Sequence, residues 1–329
     1  MDNLAHTLAG LAIAESGLRR KTAFGATTLA IAANLPDVDA LIYLVGDGVD
    51  ALAFRRGWTH GVLAMIVLPL LLAACMRGLA RLRNERDGRA GADWRWLIVL
   101  SAIGVWSHPL LDLLNTYGVR LLMPFSGRWF YGDALFIIDP WLWMALLVGI
   151  VASRLWRSTS PARIAVGAVS VYALAMAASS RVGRGIVEDQ AGGDAADRVM
   201  VSPVPVTPFR RLVVRDHGDR YETGELTLGG AARYHPADET PSGRGSELAV
   251  AAARTREGAA FLSWSRFPRF AAEPSESSEI LVRISDMRYA DVRGRGWASV
   301  VVRVPAAAQS ASASSSPVRS RRSDGGSVP

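Results

Sequence analysis

Through its first 180 residues the chain alternates long apolar runs with short polar breaks, and then it changes character. Segments 4–18, 22–45, 61–76, 96–114, 134–155 and 162–180 are predominantly apolar. A helix needs about 20 such residues to cross the hydrocarbon core of a bilayer. The last three segments approach that length. The first is too short and is expected to be only partly inserted, and the second is broken at Pro36, which Asp37 and Asp39 follow. Five or six membrane helices are predicted. Beyond residue 197 the period shortens to two, and "RRLVVRDHGDRYETGELTLGG" and "SEILVRISDMRYADVRGRGWASVVVRV" each read as a hairpin. The predicted fold is a mainly α membrane bundle, some of its helices short or broken, followed by a small β-rich extramembrane domain. Residues 1–180 form the membrane-embedded part, 181–196 a linker and 197–305 the β-rich domain. The low-complexity stretch 306–329 reads as a disordered tail.

Charge adds topology to this picture. The 329 residues carry a formal net charge of +7, and Lys21 is the only lysine. Arg77, Arg81, Arg83, Arg86, Arg89 and Arg95 are expected to fall in one loop between apolar segments. There they read as an orientation signal rather than a nucleic-acid patch, and no direct nucleic-acid binding is expected. The positive-inside rule assigns Arg19 to Lys21, residues 77–95 and the region of Arg154, Arg157 and Arg163 to the cytoplasm. The N-terminus, residues 46–59, residues 116–133 and everything after 180 then lie on the outer face, with Arg55, Arg56, Arg120 and Arg128 as exceptions to the rule. The single cysteine, Cys75, allows neither an internal disulfide nor a cysteine-based zinc site. "MDNLAHTLAG" has no basic n-region, so no cleavable signal peptide is expected.

The apolar segments also contain groups that apolar segments avoid. His6, Asp37, Asp39, His60, His108, Asp112, Asp133 and Asp139 lie within them or at their ends. Ionisable groups at membrane depth are costly and point to function. These are imidazoles and carboxylates, the donors of zinc and other divalent transition metals. No arginine or lysine sits mid-segment to balance them. His108 and Asp112, four residues apart, share one helix face. In the predicted topology five segments bring their polar groups to the same outer side. Each group alone has a structural explanation. "PDVD" suits a turn or cap, Trp58 an interfacial anchor, Ser107 with Pro109 a helix start, and Asp139 before Pro140 a cap. His217 and His235 read as ordinary surface residues.

"NLAHTLAGL", "ANLPDVDAL", "RRGWTHG", "WSHPLLDLLNTYG" and "DALFIIDPWLW", in that order, resemble a family of bacterial inner-membrane metal-dependent hydrolases. That family was long classed as a domain of unknown function, and some members are described as LexA-regulated or LexA-binding. The resemblance covers roughly residues 1–155. It implies metal ligands at His6, Asp37, Asp39, His60, His108 and Asp112, with Asp139 a further candidate. Many members have a histidine in the motif that here reads Arg55-Arg56-Gly57, so a nitrogen ligand is missing and Arg56 is a candidate to hold a substrate anion.

The expected function is a metal-dependent hydrolase of the bacterial inner membrane, multi-pass, with its C-terminal domain extracytoplasmic. Its cofactor would be a divalent metal, zinc foremost, as one or two ions. Asp39 or Asp139 would act as base, and Arg55, Arg56 and Arg128 would bind substrate. A site at the outer bilayer surface favours a lipid or lipid-linked ester or phosphoester. Two other classes remain open: a metal-binding transporter, and a structural or regulatory membrane protein whose metal only stabilises the bundle.

Overall fold

A computed structural model of the chain describes residues 1–87, 92–273, 279–291 and 293–305. The tail expected at 306–329 lies outside the described residues, as does Arg89. Two compact units are present, Met1–Thr240 and Pro241–Pro329. The boundary falls inside the stretch expected to be one β-rich domain.

The first unit begins with helix α1 (Asn3–Glu15), started by Asp2, whose carboxylate accepts from the Leu4 and Ala5 amides. Helix α2 (Gly25–Ala32) follows, and then a ten-residue 3₁₀ helix, Leu35–Leu44, with Pro36 in its first turn. Such long 3₁₀ runs are uncommon. Helix α3 (Gly48–Phe54) leads to helices α4 (Ala64–Asp87) and α5 (Trp94–Leu113). Helices α6 (Pro140–Leu155) and α7 (Ser160–Gln190) complete the bundle.

Two glycines set how closely three of these helices pack. A β-carbon on Gly10 of α1 would lie 2.8 Å from the Leu29 carbonyl oxygen and 2.9 Å from the Ala33 β-carbon. One on Gly104 of α5 would lie 2.4 Å from the Ala32 β-carbon. Helix α2 is therefore held between α1 and α5 at a separation that only small residues allow, as is common between membrane helices. His6 lies one turn before Gly10, and His108 one turn after Gly104. The packing that needs the glycines thus draws the two histidines together. The opposite side of α1 packs Ala5, Leu8 and Ala12 with Leu142, Leu146, Ile150 and Met176 of α6 and α7.

Among the described residues, three helices are long and apolar enough to cross a membrane: Ala64–Arg83 within α4, α5 and α7. The expectation differs from this in two places. Segment 134–155 becomes a helix only from Pro140, because Asp139 caps it and Pro140 occupies the first turn. Its 16 residues span about 24 Å, less than a full hydrocarbon core. Conversely, Arg77, Arg81, Arg83 and Arg86 do not form a loop, because α4 continues through them to Asp87. Arginine is a good helix former, so charge alone does not end a helix.

Helix α7 also runs ten residues past the expected boundary at 180, through most of the predicted linker. Its end packs on the first sheet, formed by β1 (Arg198–Pro203), β2 (Arg210–Asp216), β3 (Arg220–Thr227) and β4 (Arg233–Pro241) in that order. Val187 joins Val199, Val201, Val213 and Leu226 in one cluster. The β2–β3 hairpin pairs Arg210 with Thr227 and Asp216 with Tyr221, as the alternation suggested.

In the second unit, helices α8 (Glu247–Ala253) and α9 (Arg256–Trp264) precede an antiparallel sheet of β5 (Pro268–Glu273), β6 (Glu279–Asp286) and β7 (Ser299–Pro305). The β6–β7 pair is the second expected hairpin. The two helices were not expected, although Ser246 and Thr255 cap them in the ordinary way.

Candidate metal centre

Three elements of the first unit bring four buried donors together. Helix α5 carries His108 and Asp112 on one face, the 3₁₀ helix carries Asp37, and the loop between α3 and α4 carries His60. All four side chains are buried, His60, His108 and Asp112 completely. His60 Nε2 lies 3.4 Å from Asp112 Oδ2 and 3.9 Å from Asp37 Oδ1. His108 Nε2 lies 3.6 Å from each of the same two oxygens. None of these four atoms has a hydrogen-bond partner.

The tautomers explain why they cannot satisfy one another. The Nδ1–H of His108 donates to the Ala33 carbonyl at 2.7 Å, and a carbonyl can only accept. The Thr59 hydroxyl donates its one proton to Asp39 Oδ2 at 3.0 Å, so it must accept from His60 Nδ1, 2.9 Å away. In the neutral rings both protons therefore sit on Nδ1, leaving two bare Nε2 lone pairs facing two carboxylate oxygens. Such an arrangement repels itself unless a cation lies between the groups. The separations exceed ordinary hydrogen bonds. They are close to the separation of about 3.3 Å between ligand atoms bound to one ion at 2.0–2.1 Å, and two overlapping groups, Asp37–His60–His108 and His6–His108–Asp112, each bring their donor atoms within 4.8 Å of one another. The donor set fits a divalent metal.

The surrounding residues hold this arrangement. Asp39 is buried, accepting from the Arg56 amide at 2.7 Å and from Thr59, and lies 3.5 Å from His60 Nδ1. It stands behind His60 rather than among the converging atoms, and its occupied oxygens do not suit it to act as base. His6 stacks on His108 with ring centroids 3.6 Å apart. Its Nε2 is 3.4 Å from Asp112 Oδ1, and neither ring nitrogen has a partner. That same oxygen is 3.4 Å from Arg56 Nη2 and accepts from the Met1 amine.

The expected substrate-binding residues separate. Arg56 is buried against Asp112, the Gly118 carbonyl and the Tyr117 ring, so it is a partner of the ligand shell and has no face left for a substrate anion. Arg128 is exposed and lies over the Phe130 ring, and the structure does not bring it to the cluster. Arg55 does reach it. Its Nη2 is 3.6 Å from Asp37 Oδ1 and its Nε is 3.4 Å from Asp39, with a quarter of the side chain (24%) open. Asp139 is a cap, as its sequence context allowed. One oxygen accepts from the Leu142 amide at 3.0 Å and the other from the Tyr172 hydroxyl at 2.9 Å. Its expected catalytic role therefore has no support in its contacts.

Two residues were missed. Thr59 fixes the His60 tautomer, and nothing in "WTH" singles it out. Arg120, taken as an exception to the charge rule, donates to the Ala53 and Arg55 carbonyls and so holds the loop that carries His60. His217 also differs from its reading. Its side chain is only 4% exposed, 3.7 Å from Asp194 and 3.8 Å from Glu222. That grouping already contains a cation, because Arg215 donates to Glu222 at 2.6 Å.

A family model described as YdjM inner membrane protein matches residues 1–183, which include the whole cluster. The chain is similar to the uncharacterized protein YfhP of Bacillus subtilis, 23% identical over 263 residues, covering 77% of this chain and 74% of YfhP. It is also similar to the inner membrane protein YbcI of Escherichia coli, 31% identical over 133 residues, covering 40% of this chain and 65% of YbcI. No solved structure matches.

Proposed function

The chain belongs to the YdjM inner membrane protein family, and from that premise we propose that it is a membrane-embedded, metal-dependent hydrolase of lipid or lipid-linked esters or phosphoesters. One observation carries the reading. Four unpartnered donor atoms from three separate elements converge at 3.4–3.9 Å with two imidazole lone pairs turned inward.

Asp37, His60, His108 and Asp112 would hold the ion, and two nitrogens with two oxygens suit zinc. A zinc ion there would supply a Lewis acid and, where it takes a water as a further ligand, would lower the pKa of that water to about 7. The chain's own residues do the rest. Ala33 and Thr59 keep the two Nε2 atoms unprotonated. Arg56 holds Asp112 and places positive charge where a second ion would compete, which favours one ion over two. Arg55 is the cation left partly open beside the centre, able to pair with a phosphate oxygen. His6 Nε2, buried 3.4 Å from Asp112 Oδ1 and without a hydrogen-bond partner, is a further nitrogen donor beside the ion. The arginine distribution favours a centre at the outer membrane surface, with the region after α7 extracytoplasmic.

The test is turnover of a phospholipid or fatty-acyl ester by the detergent-purified chain. Activity that is lost with chelator, restored by zinc and absent in His108→Ala supports the proposal. Full metal content with no turnover of any ester would reject the enzyme and favour a structural or transport role.

A further inference from the structure

An apolar groove lies beside the centre. It has a volume of about 560 Å³ and lies between α2 and the 3₁₀ helix, with Asp37, one of the four donors, in its wall. The geometry of the 3₁₀ helix makes the groove straight. With three residues per turn, side chains three apart lie directly above one another. Leu35, Val38 and Leu41 therefore form one apolar rail, about 12 Å long at about 2 Å per residue. Ala30 and Ile31 of α2 line the facing side. Ile31, Val38 and Leu41 are all strongly exposed, at 42%, 42% and 58%.

We propose that this groove binds the acyl chain of an anionic lipid and presents its headgroup linkage to the centre. The inference rests on the hydrolase reading for its headgroup end and specifies the substrate of that same site. Two features commit the groove to such a lipid. Asp37, which contributes one of the converging donors, lies in the groove wall, so a chain lying on the rail passes beside the centre. Arg55, 3.6 Å from Asp37 Oδ1 and partly open, supplies positive charge next to that wall residue, while the walls elsewhere are apolar with only neutral polar groups such as Asn34. A neutral hydrocarbon would leave the open part of Arg55 facing no anion, and a soluble phosphoester would leave the rail unused.

The test uses the full chain in detergent micelles and a 1-acyl-glycerol-3-phosphate with a diazirine in its acyl chain. Photolabelling is expected to concentrate on residues 27–41. A C16 acyl-glycerol phosphate should compete at least tenfold better than the C4 homologue. Ala30→Trp and Ala40→Trp, which fill the groove from opposite walls, should each reduce the labelling at least fivefold without changing zinc content or elution volume. Labelling spread evenly over α4, α6 and α7, or unaffected by both tryptophans, would overturn the groove and leave only ordinary boundary lipid. The hydrolase reading is scored separately by turnover of bis(p-nitrophenyl) phosphate. Turnover without localised labelling rejects the groove alone. Localised labelling without turnover of any ester keeps the lipid site and rejects the enzyme.

Discussion

Thr59→Val is a small change with a calculable consequence. Valine keeps the branched shape of threonine and removes only the hydroxyl. That hydroxyl gives its proton to Asp39 at 3.0 Å and accepts one from His60 at 2.9 Å. Without it, His60 loses the acceptor that holds its proton on Nδ1, and Asp39 lies 3.5 Å from that nitrogen, beyond a good hydrogen bond. The ring is then free to turn or to protonate Nε2, the atom aimed at the centre. Removing such an orienting partner typically weakens metal binding 10- to 100-fold, equivalent to about 1.4–2.7 kcal/mol. Zinc affinity is measured by competition with a chromophoric chelator, with wild type and His60→Ala as the two limits. The expected Thr59→Val value lies between them, and full occupancy is recovered at higher zinc. An affinity within twofold of wild type would refute the tautomer argument, as would a loss equal to that of His60→Ala.

Other outcomes follow from the same contacts. Gly104→Ala must push α5 away from Ala32, against a 2.4 Å approach. It is expected to cost about 1–3 kcal/mol, seen as a lower Tm, and to weaken zinc binding because His108 moves with α5. Asp139→Ala should lose about 1 kcal/mol as a helix cap while zinc content, read by elemental analysis, stays unchanged. Arg55→Ala should raise KM for an anionic ester much more than it lowers zinc occupancy. Asp286 in the second unit is fully buried. Burial raises its pKa, but Arg288 beside it, with hydrogen bonds from Arg288 and Ser265, brings it below the ordinary value. Its contribution to stability is thus complete above about pH 4 and is lost as pH falls through the folded-state value. Hydrogen exchange in residues 279–291 should accelerate at acid pH in wild type, and should already be fast at neutral pH in Asp286→Asn.

How much of this was legible depended on the scale of the signal. His108 and Asp112 could be paired from sequence because helix periodicity places i and i+4 on one face. The β2–β3 and β6–β7 hairpins were legible for the corresponding reason at period two. Asp37 and Asp39 could not be told apart. Which of them faces the centre depends on Leu35–Leu44 winding as a 3₁₀ rather than an α-helix, and Pro36 permits either. Arg55 and Arg56 looked equivalent until the backbone of Arg56, at φ 51°, turned one guanidinium inward and left the other at the surface. The role of Thr59 is a hydrogen-bond relation between residues 20 apart in sequence, which no local pattern encodes. Helices α8 and α9 were overlooked for a different reason. Their caps were visible, but seven- and nine-residue helices offer too few turns for periodicity to stand out among strands.

The central claim is that Asp37, His60, His108 and Asp112 hold an ion. Elemental analysis of the wild-type chain, purified in detergent without chelator, tests it directly. The account expects about one zinc per chain, lost in His108→Ala. Less than half an equivalent of any transition metal in the wild type would contradict it.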